Sequence, residues 1–155
     1  APLEDKYVSE IGLRRVSNLS GEDLALYKRL INNQIADEDM KKIPAMFGKS
    51  DNYSLEDEES HRADKTDSEM HNLIWSEAAK LRTDGKLLEV FQKIDSKIYL
   101  IQGAYDPHPV DGVRIPLQEY RVSCEVYVLE KCGHSPFMEK YAKNEFYSVL
   151  SEIIS

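Results

Sequence analysis

Cysteine is scarce in this chain. Its two cysteines, Cys124 and Cys132, give no disulfide framework and fit a reducing compartment, so a cytoplasmic protein is expected. Basic charge is scarce as well. Twenty Lys and Arg face 28 Asp and Glu, and the net charge of -8 argues against nucleic acid and anionic membrane as partners, because both repel it at long range. Long apolar runs are missing, and none approaches the roughly 20 residues of a membrane span. The opening APLEDKYVSE carries charge at once, unlike a secretory leader. It begins on Ala1 rather than Met, so the natural start is expected elsewhere.

What is present describes a folded domain. Apolar residues make up 41% and charged residues 31% of 155 positions, a globular balance in a chain long enough for its own core. The first half reads as helices. PLEDKYVSEIGLRRV places Leu3, Tyr7, Val8 and Ile11 on one face. In NLSGEDLALYKRLI, Ser20 and Asp23 have the spacing of a capping box, ahead of a stripe of Leu24, Tyr27, Leu30 and Ile31. A short helix is expected from Asp37 to Ile43, disrupted by Pro44. Residues 48–66 are polar and acidic and read as a solvated loop. Thr66 and Glu69 form a second capping pair, before a broad apolar face of Met70, Leu73, Ile74, Trp75, Ala78 and Leu81. Asp84-Gly85 is a turn, and KLLEVFQKI is a short helix.

The second half changes character. KIYLIQG and CEVYVLEKCG are apolar runs ended by Gly103 and Gly133, the pattern of buried strands. The intervening stretch, with the helical segment VRIPLQEY, is long enough for a crossover between parallel strands. NEFYSVLSEII closes the chain as an amphipathic helix, with Phe146, Tyr147, Leu150, Ile153 and Ile154 available for burial. The fold class is therefore α/β with an incomplete sheet, since two parallel strands this apolar want neighbours at their edges.

Active sites of open α/β sheets collect beyond the carboxyl ends of the strands. Two loops stand there, GAYDPHP and EKCGHSPF. Asp106 on the first and His134 on the second can meet, the carboxylate fixing the imidazole tautomer and stabilising the imidazolium. His108, between two prolines, reads as a loop residue. Ser135 reads as a helix cap before Pro136. Cys132 reads as a half-buried structural cysteine, and Cys124, Cys132, His134 and Asp106 match no usual zinc spacing.

On LIQGAYDPHP and VYVLEKCGHSPFMEK, residues 97–155 resemble the C-terminal end of an α/β-hydrolase fold enzyme. Residues 3–94 resemble the helical lid that such enzymes insert between strands, as in proline iminopeptidase-like members. The resemblance divides the chain into a lid region, 1–94, and a core portion, 95–155, that carries the last two strands and the terminal helix. It implies a serine hydrolase acting on a small ester, amide or peptide, with Asp106 as triad acid and His134 as triad base. It implies no metal or organic cofactor. The family's nucleophile sits in a Gly-x-Ser-x-Gly elbow, and none occurs between Ala1 and Ser155. The expected partner is thus the missing N-terminal half of the hydrolase, and this chain alone is expected to be inactive. The alternative is a non-catalytic lid or interaction module that pairs with itself or another chain, including as a homodimer through the open sheet edge.

Overall fold

The computed structural model describes residues 2–32, 34–56 and 68–155, with the backbone alone at 37 and 68–72. Thr66 of the second capping pair and the acidic run beyond Glu56 lie outside the described residues, as does the Met70 side chain. The chain is a mixed helix-and-sheet protein. Helices α1 (Val8–Asn18), α2 (Gly21–Ile31), α3 (Asp37–Met40), α4 (Ile43–Asp51), α5 (Ser68–Thr83) and α6 (Lys86–Phe91) precede strand β1 (Ile98–Gly103). Helix α7 (Asp111–Glu119) then leads to β2 (Cys124–Leu129), and α8 (Lys143–Ile154) ends the chain. No helix among the described residues is long and apolar enough to cross a membrane.

The two strands pair in parallel, with Ile98 opposite Cys124 and Gly103 opposite Leu129. The register brings both carboxyl ends to the same edge, so the loops that follow them are neighbours. Among the described residues these strands pair only with each other. The apolar packing is divided. Leu19, Leu26, Tyr27 and Met46 form a core within the helical region. Leu3, Leu88 and Leu117 form a second beside α6 and α7, with Val122 and Cys124 packed against it. Leu129, Cys132 and Ala142 form a third beneath β2 and α8.

Several local expectations needed adjustment. Ser20 occupies the N-cap of α2, but its side chain makes no capping hydrogen bond. Pro44 does not simply disrupt a helix. It stands in the first turn of α4, where its missing N–H has no intrahelical partner to lose. Among the described residues, Leu73, Ile74 and Trp75 of the α5 stripe are each more than half exposed, while Ala78 and Leu81 are partly buried. Tyr147 and Ile154 of α8 are also exposed rather than buried.

The largest departure is at residues 48–56, which are not a solvated loop. Residues 48–51 close α4, and Ser50, Asp51 and Asn52 are buried. The next residues run antiparallel to the segment after His134. The Glu56 N–H donates to the Met138 carbonyl at 3.0 Å, and the Lys140 N–H to the Ser54 carbonyl at 2.8 Å. Glu139 locks this junction. Its fully buried carboxylate accepts the N–H groups of Tyr53 at 2.8 Å, Ser54 at 2.7 Å and Gly133 at 2.7 Å. Polar composition misled the reading because burial here is matched by hydrogen bonds rather than by apolar side chains.

Replacing Glu139 with Ala leaves the buried Gly133 N–H and the part-buried N–H groups of Tyr53 and Ser54 without their acceptor. The expected loss is about 3 kcal/mol, or a melting temperature lower by roughly 6–12 °C. Glu139→Gln should fall between, because its amide group confronts the Ser54 N–H. Calorimetry of the three proteins checks the order, and a Glu139→Ala protein that melts with the wild type contradicts the clamp.

Candidate functional site

The loop after β1 is built to present one carboxylate. Pro107 and Pro109, both buried, restrict the backbone on either side of His108. The Asp106 side chain turns back over its own loop and accepts the His108 N–H at 2.8 Å, the geometry of an Asx turn. Gln102 holds the far side of the loop by donating its amide to the His108 carbonyl. Arg14 of α1 donates to the Asp106 carbonyl at 3.3 Å.

The loop after β2 lies directly against it. The Ala104 N–H donates to the Leu129 carbonyl at 2.9 Å and the Tyr105 N–H to the Cys132 carbonyl at 2.8 Å. A Cβ at Gly103 would overlap the carbonyl oxygens of Cys132 and Gly133, so only glycine permits this approach. Gly133 is squeezed in turn between Asp51, Asn52 and Glu139. The helical region then sets the loop from its other side. The His134 N–H donates to the Asp51 carbonyl at 2.7 Å, and the Ser135 N–H to Asn52 Oδ1 at 3.1 Å. Asp51 is held by Arg15 of α1, with Nε to Oδ1 at 2.8 Å and a second contact to Oδ2 at 2.5 Å.

The result brings Asp106 and His134 together, as the strand-end argument expected. His134 Nδ1 lies 3.0 Å from Asp106 Oδ2. His108 is a loop residue between two prolines, as expected, and its ring also reaches Asp106. Its Nδ1 lies 2.8 Å from Asp106 Oδ1, and its ring stands 4.8 Å from that of His134. Its Asp-x-His spacing is a signal, since an Asp side chain commonly folds onto the residue two positions on. Glu139, Asp51 and Asn52 carried no comparable signal.

Burial by itself would raise the Asp106 carboxyl, but hydrogen bonds from His108 and then His134 outweigh it and hold the group well below the usual carboxylate range. Asp106 is therefore ionised and can only accept, so both Nδ1 atoms donate. The hydrogen bond to Asp106 raises His134, against the opposing effect of burial. With Nδ1–H committed to Asp106, neutral His134 keeps a lone pair on Nε2 on a side chain that is 51% exposed. It is an oriented base. Among the described residues, no hydroxyl or thiol is hydrogen-bonded to it.

Ser135 is buried and caps the short turn at Pro136–Met138 by position, without a side-chain capping bond. Cys132 is fully rather than half buried. Burial pushes its thiol up to about 12, with Glu139 and Asp106 adding to the effect, so it is not a nucleophile at neutral pH. A groove of about 610 Å³ lies at the opposite ends of the strands, lined by Lys97, Tyr99, Tyr120, Arg121 and Glu125 among others. It touches neither Asp106 nor His134. Comparison with protein-family models, with curated proteins and with solved structures finds no match to the chain.

Two measurements check these electrostatics. In chelator-treated protein, His134 should titrate above the ordinary imidazole value by NMR. Asp106→Asn should lower that titration, because the neutral amide no longer favours the imidazolium; an unchanged or higher value contradicts the pairing. Ellman's reagent should leave Cys132 unmodified in the native protein and reach both cysteines only in denaturant.

Proposed function

We propose that this chain is part of a serine hydrolase of the α/β-hydrolase type, with Asp106 as the triad acid and His134 as the base. The observation that carries the reading is the Asp106–His134 hydrogen bond at 3.0 Å, formed between loops that leave adjacent parallel strands at the same edge. A structural histidine does not require an ionised carboxylate on Nδ1 together with a half-exposed side chain whose Nε2 has no hydrogen-bond partner among the described residues. A general base does.

In the whole enzyme a serine hydroxyl would stand at His134 Nε2. His134 takes its proton as the hydroxyl attacks the carbonyl carbon of a small ester, amide or peptide. His134 then returns that proton to the leaving oxygen or nitrogen. Water, activated by the same nitrogen, cleaves the acyl-enzyme. Asp106 keeps the ring in the donating Nδ1 tautomer and stabilises the imidazolium in both halves of the cycle. The serine and its oxyanion donors belong to a segment outside these residues. The proposed partner is that segment, with a strand of its own to extend the two-stranded sheet. Helices α1 to α6 serve as the lid over the acyl site.

The test uses the longest reading frame that contains these residues, assayed on p-nitrophenyl esters and aminoacyl anilides. His134→Ala should lower kcat by thousands-fold, the scale of a lost triad member. Hydrolysis within a few-fold of wild type would sink the assignment. The 155-residue chain itself should show no fluorophosphonate adduct by intact mass; a stoichiometric adduct would place the nucleophile within it and overturn the split-site reading.

A further inference from the structure

The hydrolase reading uses one imidazole on Asp106, and the structure places two. Asp106, His108 and His134 each offer one donor atom within 4.8 Å of the others. We propose that these three residues form a binding site for a zinc-class divalent ion. The inference rests on the donor geometry and does not require that the chain belong to a hydrolase.

The donor chemistry selects the class of ion. Two imidazoles and one carboxylate suit Zn²⁺, Co²⁺, Ni²⁺ or Cu²⁺, whereas Ca²⁺ and Mg²⁺ want oxygen ligands in greater number. The separations are close to those required. Asp106 Oδ1 is 2.8 Å from His108 Nδ1, and Oδ2 is 3.0 Å from His134 Nδ1. Bonds of the usual zinc length hold tetrahedral donors about 3.3 Å apart, so the rings must open slightly from the carboxylate and turn toward one another from their present spread of up to 4.8 Å to converge on one ion. His134 can make that movement because its side chain is half exposed. His108 and Asp106 cannot drift far, because Pro107, Pro109 and Gln102 hold their loop.

The proton balance is simple. Each neutral ring now carries its proton on Nδ1, facing the carboxylate. When Nδ1 binds the ion, that proton moves to Nε2, so no net proton is released from neutral rings. Three protein ligands leave one tetrahedral position for water on the exposed side. If the chain also serves as the base-bearing part of a hydrolase, the ion and catalysis compete, since the metal occupies both Asp106 and His134. Zinc would then act as a reversible inhibitor.

The test uses the chain as it is, stripped with chelator and titrated with Zn²⁺ by calorimetry and with Co²⁺ by visible absorption. One ion per chain is expected. His108→Ala and Asp106→Asn should each weaken binding at least about tenfold, the smallest effect expected from removing a ligand or its immediate support. The chain has four histidines, so the other two serve as controls. His61→Ala and His71→Ala should bind as wild type does. Undiminished binding in a folded His108→Ala, or loss of binding in the His71→Ala or His61→Ala protein, overturns the site. Should His108→Ala fail to fold, Co²⁺ added to wild type decides by NMR. Selective shifts of the His108 and His134 ring signals support the site, and shifts confined to His61 and His71 refute it. None of these readouts depends on hydrolysis, so failure of the metal site and failure of the enzyme reading are separately visible.

Discussion

The buried carboxylate of Glu139 is the point on which the rest of the site hangs. It sits at the junction of two parts of the chain, beside the edge-on contacts of Tyr53 with Tyr105 and Tyr141, and joins them by accepting three backbone N–H groups. A carboxylate without such partners is costly to bury, and three amides without an acceptor are too. Each side of the junction therefore needs the other. Once Tyr53 and Ser54 are seated on Glu139, Asp51 and Asn52 fall against the backbone of His134 and Ser135. The orientation of His134 is in this sense set by the helical region, although His134 itself follows a strand.

A second carboxylate, that of Asp106, turns this placement into chemistry. Burial favours its neutral form, yet two imidazole donors and the His108 backbone N–H keep it ionised. An ionised acceptor with two oxygens can order two rings at once. One ring, His134, is half exposed, and its Nε2 has no hydrogen-bond partner among the described residues. The other, His108, is held in a proline-bounded loop. The anion that orients His134 also holds His108, so three possible donor atoms stand near one another. Proton transfer and metal binding then exclude one another at His134, since a nitrogen pulled toward an ion no longer presents its ring as before.

How much of this could be read from the residues depends on the range over which each signal acts. The strands were legible because KIYLIQG and CEVYVLEKCG are rich in apolar β-formers, and the parallel pairing followed from the length of the crossover, but β2 ends at Leu129 rather than Gly133 and most strand residues are part-buried or exposed rather than buried. That Asp106 and His134 could meet was legible because the loops that carry them leave adjacent parallel strands at the same end. The loop position of His108 was legible from its flanking prolines, but its contact with Asp106 was not, because a residue between prolines gives no periodic signal. The segment at 48–56 was misread because its polar residues answer buried backbone groups, and polarity alone does not separate that from solvation. The stripe of Leu73, Ile74 and Trp75 shows the reverse error, an apolar pattern on a surface left open among the described residues.

By itself, the sequence determined the local elements, the parallel order of the strands and the two loops from which a carboxylate and an imidazole could meet. Those properties come from helix and strand periodicity, glycine and proline, which act within a few residues of themselves. Only the tertiary structure decided which groups meet. His134 finds Asp106 across 28 positions, and Glu139 finds Tyr53 across 86. Such pairings arise because a buried donor or acceptor must be satisfied by whatever the packed fold brings near, and no local pattern records that choice.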